Sequence, residues 1–250
     1  MIPLKSEADF KALKKSGEIL SQVMLKLKGA VGIGISTAEI DQIAEKLILA
    51  QGAMPAFKGY KGFPTSLCTS INEEIVHGIP SERKLKEGDI ISLDLGVNYR
   101  GYFTDAAITV AVGVIPQKVK KLIEVAKKAL AEGIKEARAG NHLLDISYRI
   151  QNYVERNGFS VVRQFVGHGI GLSLHEEPEI PNFGRPHLGP LLKKGMVLAI
   201  EPMVNMGKWE ADILPNGWTA VTKDRLPSAH FEHTIAITDQ EAQILTEYYG

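Results

Sequence analysis

The chain has 250 residues, 44% of them hydrophobic, and its 29 basic residues balance 29 acidic ones. That length and apolar content support a sizeable core, and the charge balance excludes the global positive field that draws a protein to nucleic acid or acidic lipid. A single cysteine, Cys68, rules out an internal disulfide framework and fits a reducing compartment. No apolar run reaches the length of a membrane span, and the segment Met1-Ile2-Pro3-Leu4-Lys5 lacks the apolar core of a signal peptide. A soluble cytoplasmic protein is expected.

Phe10, Leu13, Leu20, Val23 and Leu27 recur at helical spacing, with Ser6 placed to cap the helix and Gly29 to stop it. A second helix starts at Ser36-Thr37-Ala38-Glu39, a capping box, and runs through Ile40, Ile43, Leu47 and Ile48 to Gly52. Residues 53–64 form a glycine- and aromatic-rich loop holding Phe57, Tyr60 and Phe63, and strands are expected around 66–71 and 75–77. Residues 90–97 alternate strictly, with Ile91, Leu93, Leu95 and Val97 on one face and Ser92 and Asp94 on the other. Asn98-Tyr99-Arg100-Gly101 reads as a hairpin turn leading into a return strand over 102–112.

After Pro116 the plan recurs. Val119, Leu122, Ala126, Leu130 and Ile134 predict one helix, and Ile146, Ile150 and Val154 another that ends at Gly158. Ile40 matches Ile146, and Gly52 matches Gly158, at an offset of 106; the strand closed by Asp94 matches the strand closed by Glu201 at an offset of 107. The reading is an α+β fold: one domain over 1–250, with pseudo-twofold halves of about 1–112 and 113–250. A curved antiparallel sheet would carry helices on its outer face and a site on the other. A last strand over 231–238 puts Glu232 and Thr234 together and turns His233 and Ile235 away.

The densest chemistry lies in Gly167-His168-Gly169-Ile170-Gly171-Leu172-Ser173-Leu174-His175-Glu176-Glu177-Pro178. Three glycines weaken a helix there, so the segment should be extended and kinked, open to close approach at His168. Neutral imidazole is both a common metal ligand and a proton carrier. A hairpin centred between Tyr99 and Arg100 pairs residues whose numbers sum to 199, which sets Asp94 directly opposite Asp105. Like charges so placed are destabilising unless a proton or a cation sits between them. Glu201 and Glu232 each lie at the end of an apolar strand and need partners as well. Four carboxylates and His168 form an oxygen-rich donor set suited to Mn²⁺, Fe²⁺ or Co²⁺, with Zn²⁺ also admitted. So much negative charge favours two ions over one.

Together the spaced motifs closely resemble the type I methionine aminopeptidases, in the short form without a zinc-finger extension. They are Asp94 and Asp105, Gly-His-Gly-Ile-Gly around His168, His175-Glu176-Glu177-Pro178, Ile200-Glu201-Pro202-Met203 and Glu232-His233-Thr234. Cys68-Thr69-Ser70-Ile71-Asn72-Glu73 and His77-Gly78-Ile79-Pro80 extend the resemblance across the chain. It implies the pita-bread fold, with Asp94, Asp105, His168, Glu201 and Glu232 holding two divalent ions (Co, Mn or Fe, with Zn and Ni as further candidates), Asp105 and Glu232 bridging. His77 and His175 would contact substrate, His77 near the scissile nitrogen and His175 at the carbonyl oxygen, while Glu201 would double as proton shuttle. Tyr60, Phe63, Cys68 and Trp218 would form the methionine pocket, with Phe57 nearby and Leu174 on the outer wall.

The expected activity is removal of the initiator methionine when the second residue is small. Its partners would be nascent polypeptide N-termini, met by a monomer in transient ribosome association, with no membrane and no nucleic-acid sequence recognition. Three alternatives stand beside it: a proline-directed hydrolase on the same fold, a pita-bread module that only binds a partner, and a mononuclear iron oxygenase using His168, His175 and one carboxylate. His142 and His187 read as exposed loop residues, His230 and His233 as packing or supporting residues, and the loop 181–190 as a rim of the cleft.

Overall fold

The computed structural model describes residues 2–247. Helices α1 (Glu7–Ala30) and α2 (Thr37–Ala50) open the chain, each begun by a capping box. In α1 the Ser6 amide donates to Asp9 at 2.8 Å while the Ser6 hydroxyl accepts from the Asp9 amide; such a cap contributes ~1 kcal/mol. There follow β1 (Met54–Pro55), β2 (Cys68–Ile71), β3 (Glu74–Val76) and the long hairpin β4 (Ile90–Tyr99) and β5 (Tyr102–Ala111). A second helix pair, α3 (Gln117–Glu136) and α4 (Leu143–Arg156), leads into β6 (Ser160–Val161), β7 (Val166–Gly169) and β8 (Glu176–Pro181). The chain then forms β9 (Val197–Ile200), β10 (Met203–Asn205), β11 (Ala211–Ile213), β12 (Ala220–Thr222), β13 (Ser228–His230), β14 (Glu232–Ala236) and β15 (Gln243–Ile244).

The main sheet runs β1-β4-β5-β14-β9-β7-β8, with β2 also on β4 and β15 also on β14. Alternation along each strand divides its two faces. Leu93, Leu95, Ala106, Ile108, Leu198, Ile200 and Ile235 point into one large core with Leu20, Met24, Ile40, Leu122 and Ile146 from the four helices. Cys68, Val197, Ala199 and Ala236 point the other way, into a smaller cluster with Phe57, Phe63 and Leu174. The site lies on this second face.

Two expectations need correction. The hairpin sums to 201, not 199: Tyr99 pairs with Tyr102, Asp94 with Ala107 and Gly96 with Asp105. The turn consists of Arg100 and Gly101 alone, both left-handed (φ 55° and 87°), and Asn98 accepts the Gly101 amide at 2.8 Å. That is the primed turn matching the twist of a two-residue hairpin. The two aspartates are therefore diagonal neighbours on one face. The position opposite Asp105 is a glycine, Gly96, where a Cβ would stand 2.6 Å from the Phe57 ring. Nor is the strand of Glu232 the last one, since β15 adds to it through Ile235–Ile244 and Ala236–Gln243.

The docking of β15 rests on a glycine. A Cβ at Gly17, inside α1, would meet the Leu245 carbonyl oxygen at 2.1 Å, whereas one at Gly29 in the same helix meets nothing within 4 Å. Alanine generally gains ~1 kcal/mol over glycine within a helix, and overpacking costs ~1–3 kcal/mol. Gly29→Ala should hold or raise the melting temperature, and Gly17→Ala should lower it by a few degrees. Equal melting temperatures for the two variants would show that β15 yields freely.

Candidate metal centre

Five strands adjacent in the sheet each deliver one group to a common cavity of about 210 Å³. Asp94 comes from β4, Asp105 from β5, Glu232 from β14, His168 from β7, and Glu201 from the residue just after β9. Each sits on a rigid strand or at its end, which holds it more firmly than a loop could. Thr234 clips β14 to β5 at the site, its hydroxyl accepting from the Asp105 amide and donating to the Asp105 carbonyl, both at 2.8 Å.

Asp105, His168 and Glu232 are buried, and one ligand-type atom from each lies within 4.8 Å of the others. Glu201 Oε1 is 3.5 Å from His168 Nε2. His168 Nδ1 lies 2.9 Å from the Gly169 carbonyl. A carbonyl only accepts, so Nδ1 carries the proton and the Nε2 lone pair faces the carboxylates.

Burial pushes all four carboxyl groups up, and their mutual repulsion adds to it for Asp94, Glu201 and Glu232. Burial likewise raises Asp105, to about 7. The same desolvation lowers His168 and His77 to about 4; His175, at the cavity mouth, is lowered too, by partial desolvation and then by the neighbouring His168 ring. Asp94 Oδ1, Asp105 Oδ1 and Glu232 Oε1 are buried without any hydrogen-bond partner among the described residues. Orphaned oxygens converging with a bare imidazole nitrogen fit a divalent cation, which supplies the charge and coordination they lack.

The outer part of the cavity is aromatic. Phe63 packs edge-on against Trp218, with ring centroids 5.1 Å apart, and against Phe57 at 6.5 Å. Cys68 and Leu174 complete the apolar wall. His77 and His175 stand on either side. The His77 backbone is left-handed (φ 60°), a conformation that strains a non-glycine residue and clusters at functional sites; its ring is held edge-on by Phe165 and Trp218. His175 stacks on Tyr60, with its Nδ1 2.9 Å from the Tyr60 hydroxyl, and lies 4.2 Å from the His168 ring.

Every site residue expected from the sequence thus borders one cavity. One neighbour was not expected. Lys61 lines the same cavity from the short 3₁₀ turn Tyr60–Gly62, with its ammonium 5.4 Å from the Tyr60 ring centre, and isolated spacing gives no signal for it. His230, read from the sequence as a packing or supporting residue, is buried beside Glu201, its Nε2 3.9 Å from Oε2, and neither ring nitrogen has a hydrogen-bond partner among the described residues. His142 is less free than expected, since it caps α4 and pairs with the Gly189 carbonyl at 3.0 Å. Residues 182–190 pack on α4, through Gln151 to Gly184 and Asp145 to His187, and do not line the cavity.

The chain matches the model of metallopeptidase family M24 over residues 11–239 and belongs to that family. It is a metal-dependent hydrolase. Within the family its likeness is to methionine aminopeptidases. It is 52% identical to "Methionine aminopeptidase" of Clostridium perfringens and to "Methionine aminopeptidase 1" of Bacillus subtilis, in each case over 98% of this chain and 99% of the relative. Its fold superposes on the crystal structure of methionine aminopeptidase from Thermotoga maritima with a TM-score of 0.97 at 43% identity, covering 99% of this chain and 100% of that one. A prolidase from Pyrococcus horikoshii shares the fold alone, with a TM-score of 0.81 at 24% identity and 64% of its length covered. The resemblance read from the motifs and the pita-bread architecture are both borne out.

The carboxyl shifts have a sign that can be measured. In metal-free protein, groups with raised pKa keep protons that the unfolded chain has lost, so stability falls as pH rises through the folded-state values. The buried imidazoles act in the opposite sense, but only below their unfolded pKa of ~6.5. From pH ~6.5 to ~8 the carboxyl slope should stand alone, so the melting temperature of metal-free protein should drop and saturating Mn²⁺ should flatten the decline. Parallel curves with and without metal would contradict a cation-compensated cluster.

Proposed function

We propose that this enzyme removes the initiator methionine from new polypeptides whose second residue is small, and that Asp94, Asp105, His168, Glu201 and Glu232 would hold two divalent ions for the purpose. One observation carries the reading: an apolar slot walled by Tyr60, Phe63, Cys68 and Trp218 opens directly onto the carboxylate cluster, within a single cavity. An unbranched thioether suits such a slot, because its flexible chain fills irregular apolar space and its sulfur packs well against ring edges. A side chain seated there brings the first peptide bond to the acidic end.

Divalent ions in the cluster supply an activated water and a positive field for charge developing on the carbonyl oxygen. The remaining chemistry belongs to side chains of this chain. Glu201 would take a proton from the attacking water and deliver it to the departing nitrogen as the C–N bond breaks. His175 Nδ1 pairs with the Tyr60 hydroxyl; with Tyr60 as donor, the proton of the neutral ring would sit on Nε2, free to donate to the carbonyl oxygen. His77, kept neutral by burial, lies beside the scissile nitrogen and narrows the space for the second residue. The enzyme would work as a cytoplasmic monomer on chain ends emerging from the ribosome; among the described residues no helix is long and apolar enough to cross a membrane.

His175→Ala should lower kcat by about 10²-fold or more while metal affinity, read by calorimetry, stays within a few fold. His168→Ala should do the reverse, weakening metal binding and regaining activity at high metal. Matching losses of metal affinity in both variants would mean that the division of roles is wrong.

Selectivity should come from two kinds of pocket. A changed methylene in an apolar slot is worth only ~1–3 kcal/mol, so norleucine-Ala-Ser should remain a fair substrate beside Met-Ala-Ser, and Met-Leu-Ser should fail on steric grounds. Trp218→Ala should loosen the first preference and keep the second. Efficient cleavage of Met-Leu-Ser by the unaltered enzyme, or a preference for Ala-Pro, would refute the reading; kcat/KM on the four peptides decides.

A further inference from the structure

Lys5 and Glu176 are 171 positions apart, and they form an ion pair with side chains only 2% and 9% exposed. Burying two ions costs much of what their attraction returns, so such a pair is weak evidence for stability and better evidence for a required geometry. The geometry here is specific. Glu176 Oε2 takes the Lys5 ammonium, and Oε1 accepts the amides of Leu172 at 2.7 Å and Ser173 at 3.1 Å. The lysine stem runs beneath Gly171, where a Cβ would stand 2.3 Å from Lys5 Cε, and Gly171 has φ 149°. The Lys5 amide in turn donates to the Gly195 carbonyl at 2.7 Å, just ahead of the strand that ends at Glu201.

His175 immediately precedes Glu176, and its side chain is exposed at the cavity mouth. It packs little for itself: Tyr60 and the His168 ring steady the imidazole, but its backbone is set by the 170–175 reversal. Backbone bonds hold its start, Ile170 to the Val197 carbonyl at 3.1 Å, Phe103 to the Gly171 carbonyl at 2.7 Å and Gly171 to the Ser173 carbonyl at 3.1 Å, and the Glu176 carboxylate ties down the two amides that follow. We propose that the buried Lys5–Glu176 pair is a positioning element of the active site: it anchors the Gly171–Ser173 turn so that His175 stands over the carboxylate cluster, making the segment before α1 part of the catalytic apparatus. This rests on the substrate-contacting role given to His175 above.

Lys5→Met tests the proposal. Displacement of a reacting contact by about 1 Å costs on the order of 10²-fold, so kcat on Met-Ala-Ser should fall about 10- to 100-fold with KM changed less than about 3-fold. Metal affinity should hold within about 2-fold. In long-range ¹H–¹⁵N spectra of the imidazoles, the His175 resonances should shift while those of His168 stay. A kcat within about 2-fold of the parent, or His168 and metal affinity moving together with His175 as in general loosening, would overturn it. Lys5→Met/Glu176→Gln leaves no unpaired buried charge and is read by the same measurements if the single variant does not fold. Failure of the unaltered enzyme on Met-Ala-Ser would sink the functional reading instead, and the imidazole spectra would still decide the positioning.

Discussion

Four carboxyl groups and an imidazole packed into one buried cavity are the constraint on which the rest of this molecule depends. Ligand atoms of Asp105, His168 and Glu232 approach within 4.8 Å of one another, a separation at which two like unit charges repel by about 3–4 kcal/mol at an effective dielectric constant of about 20. Desolvation acts in the same direction on each group. A loop could not hold such a cluster against those forces. A sheet can, because each strand end is fixed by its neighbours and the side chains have no room to turn away.

The layout follows. β4 and β5 bring Asp94 and Asp105; β14, β9 and β7 bring Glu232, Glu201 and His168; and β5 and β14 meet at Glu232–Ala107 and His233–Ala106. The helices stay on the far face and supply the apolar burial that makes the sheet rigid. The aromatic slot is built from less regular backbone, a 3₁₀ turn around Tyr60 and the turn before β12 that carries Trp218. The four carboxylates and His168 sit on strands or at their ends, whereas of the slot residues only Cys68, in β2, sits on one. His77 and His175 lie off the strands; His175 is an exposed residue after a chain reversal, and it is there that a buried ion pair reinforces the backbone.

Much of this was legible in the sequence because it is written locally. The N-cap at Ser6, the capping box at Ser36 and strict alternation along 90–97 depend on neighbours a few residues away, and the structure places those elements where the pattern does. The hairpin register was misread by two because Arg100 adopts φ 55°, a conformation that no propensity for arginine announces. The carboxylates announced themselves by standing in apolar strands. Lys61 did not, since it enters from a short turn with no spacing to mark it; His230 read only as a packing or supporting residue, and its place beside Glu201 is a matter of distance in the fold. The Lys5–Glu176 contact spans nearly the whole chain, and only the folded backbone reveals it.

Metal binding to such a cluster must expel the protons that substitute for it. Calorimetric titration of metal-free protein with Mn²⁺ near pH 7, in buffers of differing ionisation enthalpy, counts those protons directly. Carboxyl groups raised by burial, Asp105 to about 7 and its neighbours well above their ordinary values, should release on the order of one proton or more per ion bound, falling as pH rises through their range. Binding with no proton release at any pH between about 6 and 8 would mean that the carboxylates stand ionised without a cation, and the cluster would not be what organises this fold.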